Sequence, residues 1–464
     1  MTGKTPTVGG SSRNTRLFWL AVFFLSPMVP VMMYFHRQWY TFFHSWSYAM
    51  VAGIFAFGWI NNQFILAARI KYFDRIFGLD RIMRFHGNMG IIIALLIVAH
   101  GALKSLYIFE RNLQIILGVV ATQIFMAVIV VSVLFFSSTF LMRLQPLRRL
   151  RTFSAQKLRM QYQHLRLFHN LSVVAGTLVA GHVVLASSTA ETLTRQIVMG
   201  AWFGIALVLY VDHKILRPFR LRRKPFVVTK VVEEGPGITT IHMAIPPGRE
   251  WNGRAGQFAF FALLPSREEH PFTLSSPAGG AEGAIAFTAK DLGDWSGALT
   301  SVKPGDRVAV DGPYGVFTPP RTTNGRKTVM LAGGIGITPF LSMLRTMARG
   351  TGTSEEGSAT SPMVDLVWNV RYKADLFCRD ELDRIAAALP DVRWTPVISR
   401  EDDDTGARGR LDVPWMERWL SKSTDPQNHD FFLCGPAEQM EALIRVLMDA
   451  GVPKPQIHFE NFAM

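Results

Sequence analysis

The chain has 464 residues, 49% of them hydrophobic, with 34 Phe, 11 Trp and a formal net charge of +14. Such apolarity excludes an ordinary soluble protein, and two cysteines, Cys378 and Cys434, argue against a disulfide framework or a cysteine metal site. The positive charge does not mark a nucleic-acid binder, because Lys and Arg cluster in short segments beside apolar runs, as in membrane proteins.

Residues 1–16 form a tail bearing Lys4, Arg13 and Arg16. Six apolar runs follow, at 17–34, 47–67, 85–108, 113–136, 167–186 and 194–211. Each approaches the length that crosses a bilayer as a helix. No small-residue cleavage site closes the first run, which therefore reads as a span and not a signal peptide. Basic residues gather between spans two and three (Arg69, Lys71, Arg75, Arg81, Arg84), between four and five (Arg143, Arg148, Arg149, Arg151, Lys157, Arg159, Arg166) and after six (Lys214, Arg217, Arg220, Arg222, Arg223, Lys224). Both termini are expected on the cytoplasmic side of the cell's inner membrane.

His86 and His100 end the third run. On a helix their separation turns about 1400°, which returns both imidazoles to one face roughly 21 Å apart. His169 and His182 end the fifth run, roughly 20 Å apart. A lone histidine at a span end is ordinarily an interfacial polar group, and His36 and His44, beside Trp39, Tyr40 and Trp46, read that way. Two pairs at matched depth point instead to function. Spans three and five both run outward, so His86 and His169 fall on the inner side and His100 and His182 on the outer. Each pair could hold one haem. One tension remains: on a straight helix His182 would lie about 140° from the face of His169. Gly176 and Gly181 are the expected sites of a kink. His164 aligns better with His182 by angle but sits too deep in the basic segment, so His169 is preferred.

From Pro225 the texture changes. Short β-like runs near 227–233, 238–243, 257–262 and 284–290 alternate with Gly/Pro turns, the pattern of an antiparallel barrel or sandwich. Next, 327–339 reads as a strand, a glycine loop (Gly333, Gly334, Gly336) and a helix start at Thr338-Pro339. Glycines let the backbone approach a pyrophosphate, and a helix N-terminus favours its charge. Strands and helices then alternate, which implies a parallel sheet covered on both faces. Cys434-Gly435-Pro436 ends one of its strands, where such sheets bind ligands. The expected class is multi-domain: an α-helical transmembrane bundle of six spans (17–213), an antiparallel β-barrel (214–324) and an α/β nucleotide-binding domain (325–464).

With these motifs in order, the chain resembles the ferric reductase and NADPH oxidase superfamily over nearly its whole length. Its soluble half resembles a ferredoxin-NADP reductase module. The likeness rests on the two histidine pairs, His270-Pro-Phe-Thr273, Gly333-Gly-Ile-Gly-Ile-Thr-Pro339, Cys434-Gly-Pro436 and Phe459-Glu-Asn-Phe462. It implies three kinds of cofactor, namely FAD, NADPH and two b-type haems. His270, Pro271, Phe272 and Thr273 would cradle the flavin, with Ser275, Ser276, Lys290 and Gly293 by its phosphates. The glycine loop with Thr338 and Pro339 would take the NADPH pyrophosphate, and Arg371 or Arg400 its 2′-phosphate. Cys434 and Glu460 would flank the nicotinamide, and Phe462 would stack on the flavin ring, although here Ala463 and Met464 follow it. Electrons would then leave through the inner and outer haems to dioxygen or, as an alternative, to a ferric chelate. A third reading is an electron-transfer component that serves a quinone or a protein partner. Animal oxidases place a histidine where this chain has Lys104, so Lys104 is a candidate acceptor-site residue or a snorkelling lysine. The bilayer and a small acceptor are the expected partners, with no nucleic acid and no obligatory protein.

Overall fold

The computed structural model describes residues 13–36, 39–107, 112–135, 144–146, 149–150, 162–280, 283–319, 326–350, 363–401, 409–423 and 425–461. The chain divides into two compact units, passing from one to the other between Arg217 and Pro218.

The first unit carries six helical segments long and apolar enough to cross a membrane. The first is two helices, α1 (Arg13–Leu25) and α2 (Met28–Phe35). The run at 17–34 is interrupted at Ser26-Pro27 because Pro27 has no N–H to continue the helical ladder. Next come α3 (Ser45–Ala67) and a short α4 (Lys71–Phe77) that the apolar pattern did not announce. Gly78, at φ 84, turns the chain into α5 (Leu79–Ser105). Asp74 Oδ1 accepts the Leu79 N–H at 2.8 Å, so α5 begins at Leu79 and not at 85. α6 (Leu113–Phe135), α7 (Tyr162–His169), α8 (Leu171–Leu185) and α9 (Leu193–Val211) complete the unit, and a π turn, Asp212–Leu216, follows.

α3 packs along α5 and α6 along α8, the most extensive pairings in the unit. Phe35, Phe57, Phe64, Ile93, Phe125, Ala175 and Phe203 fill the space between helices. Leu95, Val98, Val130, Ile205 and Val208 point outward and remain exposed. In water such a surface would drive association; in a bilayer it is matched to its solvent.

The fifth span does not kink at glycine. It breaks at Asn170, where i→i−3 bonds (Asn170 N–H to Leu167 O, 3.1 Å; Val173 N–H to Asn170 O, 3.0 Å) replace the α-helical ladder. Gly176 and Gly181 instead make room for Phe64 and Leu117 on neighbouring helices. The break lies one residue beyond His169, so it changes the angle between His169 and His182 from that of a straight α-helix.

The second unit holds two sheets. β1 (Phe226–Gly235), β2 (Ile238–Ala244), β3 (Phe258–Leu263), β4 (His270–Thr273), β5 (Ala284–Lys290) and β6 (Arg307–Tyr314) form an antiparallel sheet in the order β4-β3-β6-β1-β2-β5. The sheet does not close into the expected barrel. Its edges, β4 and β5, meet through one isolated bridge, Leu274 with Phe287, just beyond β4. β4 is only four residues long, and Pro271 within it has no N–H to extend a ladder. Phe226, Ile241, Met243, Phe261, Phe287 and Val310 make its core.

The other sheet is all parallel: β7 (Lys327–Gly333), β8 (Val364–Val370), β9 (Val392–Ile398), β10 (His429–Gly435) and β11 (Ile457–Asn461), in the order β11-β10-β7-β8-β9. Alternate β7 residues serve opposite faces. Met330 and Ala332 pack with α10 (Thr338–Gly350) and α11 (Arg379–Ala388). Val329 and Leu331 pack with α12 (Val413–Lys422) and α13 (Ala437–Asp449). The order reverses between β7 and β10, which opens a crevice at their C-terminal ends.

Candidate functional site

The helical unit brings His86 against His169 and His100 against His182, with ring centroids 6.2 Å apart in each pair. His100 Nδ1 lies 2.7 Å from Ala49 O, and His182 Nδ1 lies 2.8 Å from Gln114 O. A carbonyl oxygen only accepts, so both Nδ1 atoms carry the proton and donate. Each Nε2 is left with its lone pair, the state in which imidazole binds a metal. His169 Nδ1 is 2.9 Å from Ser132 Oγ. His164, the alternative to His169, has its side chain outside the described residues.

The spacing suits an iron between each pair. Two metal–nitrogen bonds of about 2 Å, plus about 1 Å from each ring nitrogen to its ring centre, sum to about 6 Å. Among the described residues no three His, Cys, Asp or Glu side chains converge as a metal site. A metal held by two imidazoles therefore needs its remaining ligands from elsewhere, as a haem macrocycle provides. Lys104 lies one turn beyond His100 and points its Nζ at the Trp46 ring, 3.0 Å from the centroid, a close cation–π contact. Trp46 meets Tyr107 edge-on at 5.6 Å, and Tyr107 hydrogen-bonds Ser45.

In the second unit, the edge strand β4 lines up His270, Pro271, Phe272 and Thr273 opposite Phe261, Phe260, Ala259 and Phe258 of β3. Trp295 stacks on both His270 (4.5 Å) and Phe272 (5.2 Å), and Phe272 stacks on Phe287 (5.1 Å). Ser275 is buried, its hydroxyl the end of a chain through Thr288 to Thr240. Its neighbours are tied to α10: Arg345 donates to Ser275 O (2.6 Å), Ser342 to Ser276 O (2.6 Å), and Thr346 accepts the Ala278 N–H (2.9 Å). These three side chains sit at i, i+3 and i+4, one face of α10. Arg345 also grips Glu381 through two nitrogens, at 2.7 and 2.6 Å, which holds that carboxyl below its usual range against the effect of burial. Lys290 is engaged with Asp375 at 2.7 Å. Gly293 precedes the single turn Asp294–Gly297, and its N–H bonds Ser296 Oγ.

At the crevice, Gly333, Gly336 and Gly435 pack backbone to backbone. A Cβ on Gly336 would overlap the Cys434 carbonyl, and one on Gly435 would come within 3.0 Å of Gly333 Cα. Gly334, at φ 56, faces open space, and its carbonyl accepts Trp368 Nε1–H at 2.8 Å. Thr338 is buried at the start of α10, followed by Pro339, and Pro436 leads into α13. Cys434 is paired with Glu460 in the β10–β11 register. Glu460 Oε1 lies 3.8 Å from where a Cβ on Gly315 would sit, which brings the end of the first sheet to the crevice. Arg371 and Arg400 are exposed beyond β8 and β9; the Arg400 N–H donates to Arg371 O at 3.0 Å and its guanidinium to Tyr372 Oη at 3.4 Å. Phe462 lies outside the described residues. Reasoning from sequence did not single out Trp295, Arg345, Trp368, Tyr372 or Ser132, which act through contacts distant in the chain.

Residues 330–445 match the family described as oxidoreductase NAD-binding domain. The chain is 26% identical over 287 residues to the reductase component of propane 2-monooxygenase from Rhodococcus jostii (strain RHA1), covering 61% of this chain and 72% of that protein. It is 30% identical over 266 residues to a flavohemoprotein of Burkholderia sp. (strain TH2), covering 56% and 64%. This chain is an NAD(P)H-dependent oxidoreductase. A nicotinamide nucleotide is the ligand of the domain at 330–445. The oxidoreductase spans less than two-thirds of the flavohemoprotein, and 40% of a component of the Na(+)-translocating NADH-quinone reductase of Yersinia enterocolitica, to which it is 27% identical over 173 residues. Among solved structures, a flavohemoglobin from Malassezia yamatoensis aligns at 18% identity and TM-score 0.46, covering 75% of this chain and 97% of that one. The six-helix N-terminal unit of the oxidoreductase is consistent with ferric reductase and NADPH oxidase architecture.

Two outcomes follow from this geometry. Arg345→Met removes three charge-assisted hydrogen bonds, two to Glu381 and one to Ser275 O, and leaves Glu381 half-buried without its bidentate partner. It should lower the stability of the second unit by about 1–3 kcal/mol; unchanged thermal unfolding of the full chain would contradict the clamp. Burial pushes both cysteine thiols up, Cys434 further because of the Glu460 charge and Cys378 because of Glu381. A raised value in the folded state keeps the thiol protonated at neutral pH, so native iodoacetamide labelling at pH 8 should be slow at both and fast after denaturation. Equal rates by mass spectrometry would show the burial to be wrong.

Proposed function

We propose that the protein is a transmembrane flavocytochrome, passing electrons from cytoplasmic NADPH through FAD, an inner haem (His86/His169) and an outer haem (His100/His182) to dioxygen, which leaves as superoxide. The observation that carries this reading is the histidine geometry: two pairs, each 6.2 Å between ring centres, in a helical unit. When bound, FAD converts a two-electron hydride into single electrons, and each haem iron relays them one at a time.

The chain's own residues have separate tasks. Gly333, Gly334 and Gly336 admit the pyrophosphate to the α10 N-terminus, with Thr338, Pro339, Gly435 and Pro436 shaping the crevice. Arg371 and Arg400 supply cations for a 2′-phosphate and so favour NADPH over NADH. Cys434, kept a neutral thiol by burial, and Glu460 border the nicotinamide position. Phe272, stacked on Trp295 and Phe287, borders the flavin position, and Thr273 with Ser275 and Ser276 shapes the approach to its phosphates. Lys290 and Gly293 serve the phosphate side, with Lys290 exchanging Asp375 for that anion. On the helical side, the Ala49 and Gln114 carbonyls hold the outer imidazoles in the tautomer that leaves Nε2 able to bind iron, and Ser132 orients His169. The basic segments containing Arg69–Arg84 and Lys214–Lys224 support, by the positive-inside rule, a cytoplasmic side for both termini at the inner membrane.

Lys104 favours a second reading. A cation one turn beyond His100 suits an anionic ferric chelate as well as dioxygen on its way to superoxide. The purified holoprotein, given NADPH, should produce two superoxide for each NADPH oxidised. Anaerobic ferric-chelate reduction as fast as aerobic turnover, unaffected by superoxide dismutase, would favour the chelate instead. His86→Ala should retain one haem per chain; a variant that keeps both bis-histidine spectra would remove the inner-haem assignment.

A further inference from the structure

The two outer histidines are held by one device used twice. On α3, Ala49 O meets His100 Nδ1, and Gly53 lies four residues on; on α6, Gln114 O meets His182 Nδ1, and Gly118 lies four residues on. In a helix the carbonyl of residue i is bonded to the N–H of i+4, and the Cβ of i+4 leans back toward that carbonyl. The second lone pair of the carbonyl is therefore covered by whatever side chain stands at i+4. Glycine uncovers it. A Cβ on Gly53 would come within 2.6 Å of His100 Nδ1, and a Cβ on Gly118 within 2.7 Å of His182 Nδ1. Neither imidazole could then keep its carbonyl. The inner pair differs at His169, which meets a side-chain hydroxyl, Ser132 Oγ, and among the described residues neither His86 nor His169 is among the nearest atoms to any glycine Cβ.

We propose that Gly53 and Gly118 are positioning residues that distinguish the outer iron site from the inner one. By exposing a backbone acceptor to each outer imidazole they fix its tautomer and raise its basicity toward iron. A more basic ligand pair favours the ferric state, so these glycines keep the outer centre more reducing, and more strongly ligated, than a side chain at either position would allow. This inference rests on reading His100 and His182 as haem ligands.

The test is an optical redox titration of full-length protein in detergent, with low-spin electron paramagnetic resonance as a second readout. In Gly53→Ala and in Gly118→Ala, one of two haem components should move to higher potential by at least a tenfold change in its reduced-to-oxidised ratio at fixed potential, about 59 mV for one electron. The other component should stay. Selective loss of one haem, with the remaining signal intact, supports the same conclusion. Gly200→Ala, on α9, which carries none of the four histidines and where a Cβ would touch nothing within 4 Å, should leave both components in place. Ser132→Ala should move the component that the glycine variants leave alone. If one glycine variant fails to fold, the other makes the same prediction on a different helix. Two unshifted haems in both glycine variants would overturn the proposal, whereas wild-type protein without haem would overturn the reading beneath it.

Discussion

A buried imidazole has two nitrogens, and in an apolar helix bundle each must find a partner or cost free energy. The arrangement of the first unit follows from meeting that demand at one nitrogen with the protein's own backbone or hydroxyl oxygens. Helices α3 and α6 supply acceptors to Nδ1 of His100, His182 and His169. α5 and α8 carry the outer histidines, and each packs most extensively against the helix that supplies its acceptor. Helix pairing and imidazole orientation are thus one problem with one solution. On the two outer rings the nitrogen left over is defined chemically before any iron arrives, so binding there does not need to reorganise the tautomer.

The second unit solves a comparable problem with a helix. The N-terminus of α10 opens on the crevice between β7 and β10, while Ser342, Arg345 and Thr346 on its side bind the backbone of Ser275, Ser276 and Ala278. One rigid rod therefore touches both the nucleotide crevice and the loop after β4. The charged part of that clamp, Arg345 with Glu381, continues to α11, so a single face of α10 organises groups from three segments of the chain.

Much of this was legible in the sequence. The six apolar runs lie close to the six helical segments, because a bilayer demands length and apolarity that leave a plain pattern. The glycine loop and the β–α alternation were visible for similar reasons. The closure of the antiparallel sheet was not, since it depends on whether Pro271 and a four-residue edge strand can extend a ladder. The break at Asn170 was also hidden. The glycines drew attention as kink sites, but small residues served packing against Phe64 and Leu117, and the backbone yielded at a position with no distinctive residue type. Gly53 and Gly118 were unreadable for a different reason: their significance lies in a neighbouring helix, and nothing in the local pattern separates them from Gly90. Trp295 stood within a motif, yet its stacking on His270 and Phe272 required knowing which edge strand lay beneath it.

The break at Asn170 also divides one span between two imidazoles. α7 carries His169 and α8 carries His182, and the i→i−3 bonds at Asn170 wind the chain more tightly between them than an α-helical ladder would. That local overwinding alters the angle between the two imidazoles, so the aim of the distal centre is set in part by a joint beside the proximal one.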